Sequence, residues 1–133
     1  MSKGIKTMRK LVITLEHLPY RELSPNAREH WAVKNRAVRA SKEEIGWLAK
    51  IQWHDDKPMM KARISYEFHL KNKVKRDLDN LLASCKAYLD GLIEVGVIFY
   101  DDSQHLKIGS VKAIITGEES MIITLEEIAE ILK

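Results

Sequence analysis

The sequence feature that most constrains the fold is an alternation of apolar and polar residues over positions 59–70. Its apolar side would carry Ala62, Ile64, Tyr66 or Phe68, and Leu70. Its other side carries mainly charged and polar residues. A period of two is typical of a β-strand, in which successive side chains point to opposite faces of the sheet. The segment therefore predicts a half-buried strand.

Helical and strand-like segments alternate along the chain. Strands are predicted at 10–16, 59–70, 106–116 and 121–125, and helices at 41–54 and 78–93. Ser41 and Glu44 fit a capping box at the start of the first helix. The segment 18–26 contains two prolines and predicts a loop, and 27–40 predicts a loop or an irregular helix. A turn over 117–120 would join the last two strands.

This order, β-α-β-α-β-β, indicates the fold class. We expect an α/β (α+β) protein with a small mixed β-sheet and two helices packed mainly on one face. The 133 residues are enough for about one domain, so residues 1–133 are interpreted as a single domain with residues 1–9 as a flexible basic tail.

Composition narrows the function classes. The single cysteine, Cys85, excludes an internal disulfide framework and Cys-rich metal sites. No apolar stretch reaches transmembrane length, and the apolar run at 11–13 is too short for a signal peptide. We therefore predict a reduced, cytoplasmic protein that does not enter the membrane.

Charge is distributed unevenly, although the net charge is only +3. Residues 61–76 contain six lysine or arginine residues and one glutamate, whereas residues 117–133 contain five glutamates and one lysine. Such asymmetry suggests a basic face directed at a polyanion.

Four aspartates form the most informative chemical pattern. Asp77 and Asp79 stand at the start of the predicted second helix, next to basic residues, and Asp101 and Asp102 end a short apolar segment. On a regular helix Asp79, Ala83, Lys86 and Asp90 would share one face, opposite a buried side of Leu81, Leu82, Cys85, Leu89 and Leu92. Carboxylates that converge from separate elements suit Mg²⁺ and metal-assisted phosphodiester hydrolysis, with a lysine adding positive charge.

Each of these residues also has a structural interpretation. Asp77 or Asp79 could simply cap the helix, and Asp101-Asp102-Ser103 could be a plain turn. Lys86 could be a solvated helix residue, and Cys85 a buried small hydrophobe. The three tryptophans, Trp31, Trp47 and Trp53, are interpreted as core or half-buried residues rather than as platforms for base stacking.

The order and spacing of several segments together resemble a known family. These segments are Arg76-Asp77-Leu78-Asp79-Asn80-Leu81-Leu82, then Lys86-Ala87-Tyr88-Leu89-Asp90, Gly96-Val97-Ile98 and Asp101-Asp102-Ser103-Gln104, with an earlier loop at Ser24-Pro25-Asn26-Ala27. The combination resembles the RusA family of Holliday junction resolvases over roughly residues 10–126.

The resemblance implies a homodimeric, Mg²⁺-dependent endonuclease of branched DNA, above all of four-way junctions, acting in recombination and repair. Mn²⁺ could replace Mg²⁺. Asp77 and Asp79 match the two aspartates of the D-x-D-N motif, and Asp102 matches the later catalytic aspartate, with Asp101 beside it. These four are the implied metal ligands, and Asn80 and Asp90 have supporting roles.

The remaining site residues are assigned by charge and position. Lys86 would offer positive charge to the phosphate or orient the attacking water, which gives 5′-phosphate and 3′-hydroxyl ends in the family. Contacts to DNA are assigned to Lys73, Lys75, Arg76, Asn26, Arg36 and Arg39.

The sequence departs from the family pattern at the lysine. The family's catalytic lysine usually stands four residues after the second aspartate, where this chain has Ala83. Lys86 instead stands four residues before Asp90, as the family lysine often does before its own helix aspartate. A three-residue insertion, nearly one helical turn, would explain the shift.

Two other functions remain open at this stage. The altered lysine spacing is compatible with a non-catalytic protein that binds branched DNA. A D-x-D motif can also hold the metal diphosphate of a sugar nucleotide, although the chain is short and lacks a nucleotide-binding βαβ signature.

Overall fold

The fold is known from a computed structural model, which describes residues 8–28, 30–73 and 77–128. The strands are β1 (Lys10–Leu15), β2 (Ala62–Leu70), β3 (Leu106–Ile115) and β4 (Ser120–Glu127). The helices are α1 (Trp31–Gln52), α2 (Leu78–Ala83) and α3 (Lys86–Glu94), and a short 3₁₀ helix spans Arg21–Leu23. The predicted class, a small α+β fold with one mixed sheet, is confirmed.

The last strand in the sequence, β4, lies inside the sheet rather than at its edge. The spatial order is β1-β4-β2-β3, and β4 runs antiparallel to both β1 and β2, whereas β2 and β3 are parallel. The predicted strands at 106–116 and 121–125 are both present, but they are not hydrogen-bonded neighbours. Their connection crosses the end of β2, where the N–H groups of Thr116 and Gly117 donate to the carbonyl of Leu70.

One face of the sheet forms the core. Paired residues of β2 and β4 are buried on it, namely Ile64 opposite Leu125, Tyr66 opposite Ile123 and Phe68 opposite Met121. Leu11, Ile13 and Leu15 of β1 extend this layer. Ile45 and Ala49 of α1 and Tyr88 and Leu92 of α3 belong to the same buried cluster. The predicted half-buried strand and the packing of helices on one face are therefore confirmed.

Helix α1 begins ten residues earlier than the sequence pattern suggested. Its N-cap is His30, whose Nδ1 accepts a hydrogen bond from the N–H of Ala32 at 3.1 Å. Ser41 is fully buried in mid-helix, so the predicted capping box is wrong. Residues 32–40 are rich in alanine, lysine and arginine and contain neither glycine nor proline, and such residues favour continuation of the helix.

The predicted second helix is interrupted between α2 and α3. Ser84 and Cys85 have ψ angles of −7° and 1°, far from the value of about −42° of a regular helix. Their side chains donate back to the carbonyls of Asn80 and Leu81, at 2.7 Å and 3.4 Å. Back-bonding of this kind competes with regular helix geometry. The predicted faces are nevertheless preserved, because Asp79, Ala83 and Lys86 are exposed while Leu81, Cys85 and Leu92 are buried.

Helices α1 and α3 pack closely because α3 contains Gly91. A Cβ at this position would lie 2.5 Å from Cγ2 of Ile45 and 3.1 Å from the backbone of Lys42. Lys42 also forms an ion pair with Glu94, one turn further along α3. The crossing therefore depends on the missing side chain of Gly91.

Arg9, assigned above to the flexible tail, is held firmly. Its guanidinium lies 2.7 Å from Glu127 and 2.8 Å from Asp55, and also 5.0 Å from the ring centroid of Trp53. These interactions raise the pKa of Arg9, chiefly through its hydrogen bonds with Glu127. The tail prediction is therefore wrong for Arg9, and residues 1–7 lie outside the described residues. None of the helices in the described ranges is both long enough and apolar enough to cross a membrane.

Candidate functional site

The start of α2 carries the first two aspartates. Asp77 is the N-cap of the helix, and its Oδ1 accepts a hydrogen bond from the N–H of Asp79 at 3.0 Å. The structural interpretation of Asp77 as a cap is thus confirmed, and it does not exclude a second role. Both carboxylates are exposed, and both lie at the positive end of the helix dipole, which stabilises negative charge.

An open cleft brings the early proline–asparagine loop to this end of α2. The cleft has a volume of about 720 Å³ and is lined by Ser24 and Asn26 from the loop and by Asp77, Asn80 and Ser84 from the second helical region. The loop is folded tightly, because the carbonyl of Ser24 accepts from the N–H of Ala27 and its Oγ accepts from that of Asn26. Two segments that the family resemblance singles out separately are therefore walls of one cleft.

A smaller cavity of about 220 Å³ adjoins this cleft. Its lining includes Pro25, Lys34, Lys86 and Asp90, and it shares Ser24 and other residues with the larger cleft. The two cavities therefore run side by side between the proline–asparagine loop and the α2–α3 region.

Lys86 is the centre of an ion-pair cluster beside this cavity. Its Nζ lies 2.5 Å from Oδ1 of Asp90 and 3.1 Å from Oδ2 of Asp101. Asp90 is the main cause of a raised pKa for Lys86, with Asp101 contributing. Lys86 is therefore protonated at neutral pH, and the contact with Asp101 ties the start of α3 to the loop that carries the second acidic pair.

Asp102 faces its own turn. Its Oδ1 accepts hydrogen bonds from the N–H groups of Gln104 and His105, each at 3.1 Å, and lies 2.6 Å from Nδ1 of His105. The contact with His105 is the main cause of a lowered pKa for Asp102. The structural interpretation of Asp101-Asp102 as a turn thus holds for Asp102. The sequence analysis missed His105, whose only signal is its position three residues after Asp102.

The structure does not gather the predicted metal ligands into a finished set. Within residues 8–28, 30–73 and 77–128, no group of three or more acidic, histidine or cysteine side chains is arranged to hold a metal ion. Asp77 and Asp79 lie together at α2, Asp101 contacts Lys86, and Asp102 bonds within its turn. The donor chemistry still suits Mg²⁺, which takes one or two carboxylates and completes its shell with water and phosphate oxygens. A shared ion remains a prediction.

The predicted DNA-binding residues fall into three groups. Asn26 lines the larger cleft, and Arg36, Arg39 and Lys73 are exposed. Lys75 and Arg76 lie outside the described residues. Among the residues that are described, Arg36 and Arg39 have no ion-pair partner.

Two tryptophans differ from their interpretation as core or half-buried residues. Trp31 is 69% exposed and Trp47 is 72% exposed, whereas Trp53 is half-buried as expected. The interpretation failed because it used residue type alone, and residue type does not determine which positions of a helix are exposed. Cys85 is buried as predicted, and burial raises the pKa of its thiol.

No protein-family model matches the sequence. An uncharacterized protein of Xylella fastidiosa (strain Temecula1) is 30% identical over 94 residues, which cover 68% of this chain and 60% of that protein. The chain thus spans less than two thirds of the length of this relative.

Among solved structures, the crystal structure of the hydrogenase maturation protein HypE matches 98% of this chain and 34% of its own. The TM-score is 0.36 at 11% sequence identity. A similarity this low supports no conclusion about fold or function.

Proposed function

We propose that this protein is a RusA-like, Mg²⁺-dependent endonuclease that cuts branched DNA, above all four-way junctions, by phosphodiester hydrolysis. The observation that carries the proposal is the shared cleft, which Asn26 of the proline–asparagine loop and Asp77 and Asn80 of the D-x-D-N motif line together. The two segments stand about fifty positions apart in the sequence. They must be neighbours in the fold if both belong to one catalytic site.

One or two Mg²⁺ ions would be held by Asp77 and Asp79 together with Asp102 and Asp101. Mn²⁺ could substitute for Mg²⁺. When bound, the metal would neutralise phosphate charge and supply an activated water. Asp77 also begins α2, so the same side chain orders the helix that presents Asp79. Asn80 lines the cleft next to Asp77 and supports the site there.

Lys86 would supply positive charge to the phosphate. Its two ion pairs with Asp90 and Asp101 keep it protonated and fix its position at the beginning of α3. The break before α3 lies at Ser84 and Cys85, within the three residues by which the lysine is displaced relative to the family pattern. Backbone phosphates would be bound by Asn26, Arg36, Arg39 and Lys73, together with Lys75 and Arg76. These contacts would make DNA binding depend on salt.

The direct test is cleavage of a synthetic four-way junction. We expect nicking in Mg²⁺, none in EDTA, and a loss on the order of 10²-fold or more in Asp79→Asn, because a metal ligand contributes several kcal/mol to transition-state stabilisation. Asp56→Asn is the matched control, since Asp56 is also an exposed aspartate but lies in the α1–β2 loop. Cleavage by Asp79→Asn at the rate of the unaltered protein would overturn the proposal.

A second function, non-catalytic binding of branched DNA, is favoured by one observation. Asp102 is bonded within its own turn and does not point to an assembled catalytic centre. Tight junction binding in Mg²⁺ without nicking, by a folded protein, would support this alternative over the nuclease.

The proposal includes a homodimer in the cytoplasm. A twofold dimer would present two equivalent sites to the two strands of a twofold junction. Sedimentation of the protein alone and with a junction tests this part independently of cleavage, and a monomer in both cases would contradict it.

A further inference from the structure

A groove beside Trp47 combines an exposed aromatic ring with free positive charge. The groove measures about 530 Å³ and runs between α1 and the end of α3, with Gly46 and Val95 among its lining residues. The ring of Trp47 stands at its side and is 72% exposed. Gly46 itself is buried, and a Cβ at this position would lie 3.2 Å from Cγ1 of Val95, so Val95 packs against α1 at the base of the groove.

The charges around the ring favour an anionic ligand. Arg39 and Lys50 line the groove and form no ion pair with any residue in the described part of the chain, whereas Lys42 is paired with Glu94. Of the two lining carboxylates, Glu94 is paired with Lys42, and Glu43 has no ion pair with any described residue. The cores of protein–protein interfaces are depleted of lysine and glutamate, so this lining is more typical of a nucleic-acid contact.

The groove also adjoins the candidate site. Val38 lines both this groove and the cavity that contains Lys86 and Asp90. A strand bound near Lys86 could therefore continue past Val38 and reach Trp47.

We propose that the Trp47 groove binds an unpaired nucleotide of branched DNA, with the base stacked on Trp47 and the adjoining phosphates held by Arg39 and Lys50. The inference rests on the proposed function in taking DNA as the substrate, and it deepens that function by naming the form of DNA. Stacking needs a free base face, so the groove would select forked or open junctions over a continuous duplex. Base stacking and phosphate binding would then account for an exposed ring and nearby cations that contribute neither to the core nor to hydrolysis.

The test measures binding in EDTA, where cleavage cannot occur. Labelled forked DNA with unpaired arms, a short oligothymidylate and a blunt duplex are titrated with each variant. Trp47→Ala should weaken binding to the fork and the oligothymidylate by about 5- to 100-fold, the range of one lost base stack, with little change for the duplex. Trp47→Phe should retain most of the affinity. Ile114→Ala is the control, because Ile114 is an exposed apolar residue on β3.

Salt dependence separates the ring from the cations. Arg39→Ala should lower the slope of log affinity against log salt by about 1, whereas Trp47→Ala should leave it unchanged. Glu43→Gln should increase affinity, because it removes the unpaired negative charge beside the ring. In a variant with Trp31→Phe and Trp53→Phe, the remaining emission of Trp47 should be quenched by oligothymidylate.

Unchanged affinity of Trp47→Ala for forked DNA would overturn the inference, and so would an equal loss for fork and duplex. These outcomes differ from failure of the proposed function. If binding of forked DNA depends on Trp47 but no branched DNA is nicked, the nuclease proposal is wrong and the proposed stacking site is supported. If junctions are nicked normally and Trp47→Ala binds as well as the unaltered protein, the stacking site fails alone.

Discussion

Lys86 and Asp101 stand fifteen positions apart in the sequence, and their charged groups meet at 3.1 Å. The contact joins the first residue of α3 to the loop between α3 and β3, where the second acidic pair lies. Asp90 binds the same ammonium group from the next turn of the helix. A lysine held in this way is fixed in position while most of its surface stays accessible to a substrate phosphate.

The first prediction concerns this lysine. Lys86→Ala should lower the rate of junction cleavage by on the order of 10²- to 10³-fold, the usual cost of losing a charge-stabilising donor. The free energy of unfolding of this variant should change by less than about 1 kcal/mol, because the ion pairs of Lys86 are exposed. Single-turnover cleavage and urea unfolding measure the two effects. Lys107→Ala, which removes an exposed lysine from β3, is the control, and cleavage by Lys86→Ala at the original rate would contradict the assignment.

The two roles of Asp77 can be separated by substitution. Asp77→Asn should keep the helix cap, since asparagine caps as well as aspartate, but should abolish Mg²⁺-dependent cleavage. Asp77→Ala should lose both the cleavage and about 1 kcal/mol of unfolding free energy. Chemical denaturation and cleavage assays on both variants are the measurements. If Asp77→Asn cleaves normally, Asp77 is a cap and nothing more.

The close crossing of α1 and α3 predicts an unusual response to alanine. A glycine inside a helix is normally improved by alanine, but Gly91→Ala should destabilise the protein by about 1–3 kcal/mol, because the added methyl group overlaps Ile45 and the backbone of Lys42. Thermal or urea unfolding measures the change. Adding Ile45→Leu, which removes the branched methyl group in the way, should restore part of the stability. A neutral or stabilising Gly91→Ala would show that the helices can separate freely.

The contacts of Arg9 predict that its side chain contributes to the stability of the fold. Arg9→Ala should cost about 1–3 kcal/mol, because the carboxylates of Glu127 and Asp55 lose a partly buried hydrogen-bonding partner. Arg9→Lys should restore only part of this, since lysine lacks the planar fork that reaches both carboxylates. Unfolding midpoints of the two variants test the order. Lys10→Ala is the neighbouring control, because Lys10 is exposed.

The turn around Asp102 predicts a dependence of stability on acid pH. The folded-state pKa of Asp102 is lowered, so its stabilising contribution is complete above the unfolded pKa of about 3.9 and is lost as the pH falls through the folded value. Asp102→Asn should therefore be less stable than the unaltered protein at neutral pH, and the difference should shrink in acid. Urea midpoints across this pH range measure the difference, and a gap that does not depend on pH would contradict the prediction.

The strands were predictable because one face of the sheet is buried. The residues of β2 alternate in burial from Ala62 to Phe68, and the sequence alternates in the same places. The order of the strands was not predictable, because the pairing of β4 with β1 and β2 joins segments far apart in the sequence. No local pattern marks β4 as an interior strand.

The boundaries of the helices were predicted less well than their presence. Ser41 and Glu44 have the spacing of a capping box, yet the helix begins ten residues earlier and Ser41 is buried within it. The break at Ser84 and Cys85 arises from hydrogen bonds back to the preceding turn, which a pattern of apolar positions does not record. Residue type favoured a core or half-buried position for Trp47, whereas the structure leaves its ring 72% exposed.

Part of the candidate site could be predicted from the sequence and part could not. Asp77 and Asp79 are close in sequence, and their arrangement at the start of a helix could be anticipated. The partners of Lys86 and Asp102 depend on the path of the loop after α3, so Asp101 and His105 were not recognised as those partners. Whether Asp102 shares an ion with Asp77 and Asp79 stays a prediction.

The interior position of β4 also sets the order in which this protein can assemble. During synthesis β1 emerges first, but it can acquire its only strand partner in the described sheet only after β4 has left the ribosome. Contacts between segments this far apart slow folding, because a long loop must close before they form. Until then β1 lacks its strand partner, whereas β2 can already pair with β3, which precedes β4 in the sequence.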